Sequence, residues 1–392
     1  MLQSIFPRPL RRLAALMILC AAAACGTSES STAAATVADS AGVTIVRSDA
    51  RDVIAPLESE AVVSLGGKDT PEESFYRVTP GLVETNDDGD IYVLDRDAYQ
   101  VQIFDSTGTH LRSLGHQGSG PGELQFPVWL VVDGDEGAWV ADLGKRALVR
   151  WGPDGELLEP GPLPEAYRGG GVGLVASGFV VELGGLQSNR LAILGDSGEP
   201  DVLAEIPRGE GRDLDLESCG VRIRAMEPVF SPRLVWDASG NVIVVAGTAD
   251  YVLDVYVDGR LVRSVRRDSS PRAASEALAE ASFGDGLRIN TPRGERVCDP
   301  AEVVEQQGFA PYLPAVGQVA IAPDGGLWVE RYDVGDGPHT IDVFDSAGGY
   351  VATLPEGARF PVGFLPDGRI LVSERDELDV ERLVVRTVEM GS

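Results

Sequence analysis

Histidine is scarce in this chain, with 3 residues in 392, and cysteine is nearly so, with 4. His110, His116 and His339 show no metal-ligand spacing and no G-x-S-x-G elbow occurs, so neither a zinc cage nor a serine-hydrolase triad has a basis in the sequence. Positive charge is also in deficit: 33 Lys and Arg stand against 61 Asp and Glu, a net charge of -28. A surface of that sign repels nucleic acid and anionic membrane, while favouring solubility and, more specifically, a cationic ligand or divalent ions. Helix-like periodicity is sparse. The apolar run Leu13 to Ala24 is too short to span a bilayer comfortably.

What is present is a repeat. Six times an apolar run meets a small or acidic residue plus glycine, at Gly89, Gly137, Gly178, Gly240, Gly325 and Gly368, and a second apolar run follows, such as IYVLD or LWVER. Five units carry a further turn, at Gly108, Gly155, Gly198, Gly259 and Gly348, between a third strand and a fourth. Each unit reads as a four-stranded antiparallel meander, and a period of about 40 residues with this content predicts propeller blades. The chain is thus expected to be all-β, a six-bladed β-propeller over residues 42–390. The last unit supplies three strands and stops. An unfinished blade would leave open edges, so the N-terminal run Gly42-Val43-Thr44-Ile45-Val46, ahead of Ala61-Val62-Val63-Ser64-Leu65, is read as the missing outer strand.

Residues Asp87 to Pro127 contain DDGDIYVLD, VQIFDSTG and the link Gly115-His116-Gln117-Gly118-Ser119-Gly120-Pro121-Gly122-Glu123-Leu124. This stretch resembles the NHL repeat, strongly for one blade and by apolar pattern for the others. The chain as a whole is similar to the bacterial six-bladed β-propeller lipoproteins, a resemblance that implies a shape and no particular activity. The glycine-rich link is followed by neither a lysine nor a helix, so it is a blade connector and no phosphate loop. Asp87-Asp88-Gly89-Asp90 lacks the later bidentate glutamate of a calcium loop and sits where a hairpin turn is required.

Arg8, Arg11 and Arg12 precede the apolar run, a secretory leader expected over residues 1–24. It ends at Ala22-Ala23-Ala24-Cys25-Gly26, which resembles a lipobox and implies acylation of Cys25, with a Ser/Thr/Ala-rich tether over 25–41. By analogy with lipoproteins, Gly26 implies outer-membrane sorting. The membrane is then touched only through the lipid. Cys219 and Cys298 remain for an oxidising compartment and are expected to form a disulfide. They lie in two long connectors, roughly Pro207 to Pro232 and Asp268 to Pro314. The second should hold two short helices: PRAASEALAEASF, capped by Ser270, and one opened by Asp299-Pro300-Ala301-Glu302 with a capping-box pattern.

Charged groups recur where the second strand of each blade ends: Asp95 and Arg96, Asp142 and Arg146, Glu182, Glu330 and Arg331, Glu374 and Arg375. Pointed inward they would form a candidate binding ring at the mouth; pointed sideways they would be ion pairs between blades. Tyr92, Trp139 and Trp328 share one blade position and are read as inter-blade packing. The preferred functional reading is a monomeric, cell-envelope binding or scaffold module without a resident cofactor, presenting a face to a polypeptide, glycan or small polar ligand. The alternative rests on resemblance to the lactonase and strictosidine-synthase groups, which implies calcium in the central tunnel and a metal-assisted hydrolase or lyase.

Overall fold

The computed structural model describes residues 35–66, 75, 78–134, 137–185, 187–195, 199–291, 294–335, 339–375 and 380–391. The leader, Cys25, the tether up to residue 34 and the turn glycine Gly198 lie outside the described residues. The chain opens with β1 (Ala35–Ser40), β2 (Val43–Ser48) and β3 (Leu57–Gly66). Blade 1 comprises β4 (Val83–Thr85), β5 (Ile91–Asp95), β6 (Gln100–Phe104) and β7 (His110–Leu114). Blade 2 follows with β8 (Pro127–Asp133), β9 (Gly137–Asp142), β10 (Ala147–Trp151) and β11 (Leu157–Pro162). Blade 3 holds β12 (Tyr167–Val175), β13 (Gly178–Gly184), β14 (Ser188–Leu194) and β15 (Pro200–Pro207). A separate hairpin, β16 (Arg212–Leu216) and β17 (Val221–Met226), precedes blade 4, which contains β18 (Leu234–Ser239), β19 (Val242–Gly247), β20 (Val252–Val257) and β21 (Arg260–Arg267). Then come α1 (Glu276–Ala281), β22 (Leu287–Thr291), β23 (Gly294–Cys298) and α2 (Pro300–Gln307). Blade 5 is β24 (Val316–Ile321), β25 (Leu327–Arg331), β26 (Ile341–Phe344) and β27 (Tyr350–Thr353). Blade 6 takes β28 (Gly363–Phe364), β29 (Ile370–Arg375) and β30 (Glu381–Met390) from the C-terminus and β3 from the N-terminus. The two helices are short, and among the described residues no helix is long and apolar enough to cross a membrane.

The closing strand is therefore N-terminal, but it is the second candidate segment and not the first. β3 pairs antiparallel with β30 over Leu57↔Met390 to Gly66↔Arg382. Val43 to Val46 instead lies in β2, which runs parallel to the outer strand of blade 4 through Thr44↔Arg263 to Ser48↔Arg267, with β1 hairpinned outside it. Between them Ile54 bridges Thr353 at the rim of blade 5. The N-terminal segment thus follows the outer edge of blades 4, 5 and 6 in turn. Length separates the two apolar runs: β30 offers ten residues, which the ten of β3 match and the six of β2 would leave partly unpaired. Ala35–Ser40, within the segment read as tether, is strand.

Blades pack face to face through side chains that alternate along each strand. The Trp139 ring meets Phe179 edge-on at 5.0 Å and Trp328 meets Phe364 at 6.0 Å, so these tryptophans join consecutive blades as their repeated position predicts. The glycine of the third-to-fourth-strand turn serves two ends. Gly108 and Gly348 have φ of 90° and 85°, and a Cβ on them would lie 2.6 Å from Val63 and 2.5 Å from Val265, outer-strand residues of the preceding blade. The Gly115–Leu124 link closes on itself: Leu124 N–H donates to His116 O, Gly118 N–H to Leu124 O, and the fully buried Leu124 plugs the core of blades 1 and 2.

The two long connectors form one stapled lid. Cys219, in the β16–β17 turn, is bonded to Cys298 at the end of β23, with Cα atoms 4.9 Å apart. Asp299 caps α2 by accepting from Ala301 N–H at 2.8 Å. Glu302 does not complete the expected capping box: its carboxylate accepts from Glu217 N–H, Ser218 N–H and the Ser218 hydroxyl, while Asp299 N–H donates to that hydroxyl. Glu302 thus ties the helix to the turn that bears Cys219. The first helix is shorter than its sequence pattern, starting at Glu276 with Ser275 as cap. Residues before it are committed elsewhere: Leu313 N–H donates to Arg272 O, and Ala274 N–H to Pro311 O.

Candidate functional site

The second-strand ends do not gather into a ring, because most of their charges are engaged by nearby backbone, by connectors or by ion pairs within and between blades. Asp95 accepts from Asp97 and Ala98 N–H, and Asp142, fully buried, accepts from Gln125, Phe126 and Lys145 N–H. Arg146 donates to the carbonyls of Pro164, Glu165 and Tyr167 in the blade 2–3 connector. Glu374 is held by Arg382 and Arg386, whose opposing pull outweighs burial and keeps its carboxyl below the ordinary range. Arg96 is exposed, and Arg375 lies 3.5 Å from Glu381. Arg331 belongs to a cluster at the rim of blades 4 and 5, where it meets Asp342 at 2.8 Å and Asp52 at 2.5 Å while Arg267 meets the same two carboxylates. Glu330, buried and shifted upward by burial, accepts from Gln318 at 3.0 Å and lies 3.7 Å from His339. Of the nine charged residues, Glu182 alone lines the central space.

That space is a tunnel of ≈ 810 Å³ to which the innermost strand or its approach contributes in every blade. Two walls are aromatic. The Trp129 indole of blade 2 lies where a Cβ on Gly81 of blade 1 would sit, at 2.1 Å, and Trp236 of blade 4 stands likewise against Gly171 of blade 3, at 2.6 Å. A glycine in one innermost strand, or in the turn leading into it, makes room for a tryptophan in the next. The ionisable lining consists of Glu84, Asp87, Glu182, Arg233 and Asp237. Asp237 is fixed by Ile321 N–H of blade 5 at 2.7 Å and by its neighbour Ala238 N–H at 2.9 Å. Enclosure pushes its carboxyl up to about 6 despite those two donors.

Glu84 differs from the other acids. Its carboxyl has no hydrogen-bond partner among the described residues, and enclosure by protein, reinforced by the charge of Asp237, pushes it up to about 8. Both groups keep partial contact with the tunnel interior, but the surrounding strands set their titration. Glu182 is raised by burial and eased by Gly171 N–H and Arg233. The tunnel can therefore accept hydrogen bonds and positive charge at Glu84 and Asp237 and stack apolar surface on two indoles. A calcium ion requires six to eight oxygens. Here Asp237 is already engaged, and among the described residues no three acidic, histidine or cysteine side chains converge, so this donor set does not fit a metal.

Most tunnel side chains come from first strands and their approaches, one strand further in than the charged second-strand ends; Glu182 of β13 is the exception among those ends. The available signal was a polar residue inside a short run, Val83-Glu84-Thr85 and Trp236-Asp237-Ala238, together with tryptophans that follow glycines in or just before the innermost strand of the preceding blade.

A family model described as a 6-bladed beta-propeller matches residues 70–164. The fold is a six-bladed propeller. A protein described as exported, from Bacteroides fragilis NCTC 9343, superposes with a TM-score of 0.54 at 13% identity, covering 88% of this chain and 99% of its own. A member of the DUF4221 family from Bacteroides vulgatus ATCC 8482 gives 0.56 at 10%, covering 87% and 100%. A virginiamycin B lyase from Staphylococcus aureus reaches only 0.37 at 14%, over 85% and 99%, and supports no argument. No curated protein matches the chain.

Proposed function

We propose that this protein is an extracytoplasmic, envelope-anchored propeller that binds a small polar ligand in its central tunnel. The observation that carries the reading is Glu84, a half-buried carboxyl that lines a roomy tunnel and has no hydrogen-bond partner among the described residues, so its oxygens are available to a ligand. Tunnel volume falls in the range of small-molecule sites, and its walls pair two indoles with convergent polar groups, a more polar lining than most such sites have. The lipobox-like Cys25 and the exported Bacteroides protein of like fold support the envelope location. The NHL-like link between blades 1 and 2 supports the same lineage of shape. The metal-assisted lyase reading loses ground with the donor set, and binding without catalysis is the function the residues favour.

The test is tryptophan emission of the purified protein against a panel of neutral sugars, amino sugars, amines and short peptides, repeated with Trp129→Phe and Trp236→Phe. The reading requires at least one saturable response that the two substitutions diminish. A panel without any such response contradicts it.

A further inference from the structure

Five ionisable side chains line the tunnel, and their arrangement is lopsided. The single cation, Arg233, acts on Glu182. Neither Glu84 nor Asp237 feels a cation: the influences on Glu84 are burial and the charge of Asp237, and those on Asp237 are burial and two backbone N–H groups. Blades 1 and 4 stand opposite one another in a ring of six, so these carboxyls approach the same space from opposite walls. The remaining lining of blades 2, 5 and 6 holds no charge; Trp129, Gln318 and Phe360 represent it. Trp129 and Trp236 flank the space, and indole faces attract cations.

Resting on the reading of the tunnel as a ligand site, we propose that the ligand carries an aliphatic ammonium group, as in a small amine or an amino sugar, which is received by Glu84 and Asp237 while the indoles cover its carbon skeleton. An ammonium has three donors and no acceptor. It can satisfy the free oxygens of Glu84 and add to the one-sided set of acceptors on Asp237, which a neutral hydroxyl, as both donor and acceptor, does less completely. The acidic surface, at -28 overall, concentrates such a ligand at the mouth. Binding to the ionised carboxylate must displace the proton that Glu84 holds below about pH 8. Affinity therefore rises with pH up to that point, by at most about tenfold per unit. Asp87, Glu182 and Arg233 are the other charged groups facing the tunnel and enter the same profile; Asp237, up to about 6, sets its lower end.

The experiment is a calorimetric and fluorescence titration of the full chain with cadaverine and glucosamine, each beside its uncharged counterpart, 1,5-pentanediol or glucose. At pH 8 each ammonium compound is expected to bind at least tenfold more tightly than its counterpart. Glu84→Gln should erase that difference and flatten the rise between pH 6 and 8, and Asp237→Asn, which keeps an acceptor for Ile321 N–H, should reduce it. Melting curves of both variants establish that they fold. Equal affinity of charged and uncharged partners, or an ammonium preference surviving in Glu84→Gln, overturns the inference. If uncharged compounds quench Trp129 and Trp236 while neither ammonium compound binds better, the ammonium assignment fails and the tunnel reading stands. Silence of every compound, here and in the wider panel, removes both.

Discussion

Arg331 and Asp342 are joined by two hydrogen bonds of 2.8 Å, one from Nε and one from Nη2, at a carboxylate with no exposed surface. The pair is not self-sufficient. Arg267 lies 3.6 Å from the same carboxylate and stacks over Tyr350 at 3.9 Å, and Asp52 from the N-terminal segment balances the second guanidinium. Two arginines and two aspartates thus make a neutral cluster that fastens the N-terminal segment to blades 4 and 5, and none of the four lines the tunnel.

Arg331→Ala leaves Asp342 with one distant guanidinium, so it should destabilise the protein by about 3 kcal/mol, in the range for breaking a buried pair. Ligand response in the tunnel should survive. Melting curves alongside the fluorescence titration decide: intact stability with lost binding would return Arg331 to a functional role.

Asp52 gives the cluster a pH signature. Its carboxyl is held below the ordinary 3.8, first by hydrogen bonding to Arg331. The stabilisation is therefore present above the unfolded value and disappears as pH falls through the lower folded value. Wild type should lose its advantage over Asp52→Asn as acid is added below pH 4. Parallel melting curves across that window would contradict the assignment.

Closure can be tested by truncation. A chain starting at Ala50 loses β1 and β2 but keeps Asp52 and β3, and it should unfold cooperatively at a somewhat lower temperature. One starting after Gly66 leaves β30 unpaired and should lose the single transition. Identical denaturation profiles for the two would show that β3 does not close the ring.

Cys219→Ser opens a staple between residues 79 apart in sequence and should cost about 2–4 kcal/mol. Protease sensitivity should rise between Arg208 and Pro314 while the blades stay resistant. Two reactive thiols in the oxidised wild type would refute the bridge.

The ring was legible because turn glycines recur at fixed places, and they recur for a reason visible only in three dimensions: Gly108 and Gly348 admit the neighbouring blade's outer strand as well as a positive φ. The disulfide was legible by elimination and by adjacency of the two connectors. Choosing between Val43–Val46 and Ala61–Leu65 was not, since both are short apolar runs and the difference lies in how many residues each can pair with β30. The charged second-strand ends misled because proximity in a repeat says nothing about what a carboxylate accepts; Asp95 and Asp142 spend their oxygens on backbone N–H groups three residues away or across a connector. Glu84 escaped notice because one glutamate in a three-residue strand has no periodicity to display.

Glu84 is also where the central claim is most exposed. Folded protein holds its proton up to about pH 8, whereas the unfolded chain releases it near 4.5. Stability should therefore fall as pH rises between those values and level off beyond. Glu84→Gln has no proton to lose, so its melting temperature should match wild type near pH 4.5 and exceed it increasingly toward pH 8. Curves that stay superimposed across the window would mean that Glu84 is not enclosed.

The most direct measurement is native mass spectrometry of the protein isolated from its native cells, beside a Glu84→Trp variant that removes the carboxyl and narrows the tunnel with an indole, its folding verified by its melting curve. The account predicts a bound small molecule on the wild type, released on unfolding, and none on the variant. The same adduct on both proteins, or bare mass for the wild type under conditions that preserve other complexes, would contradict it.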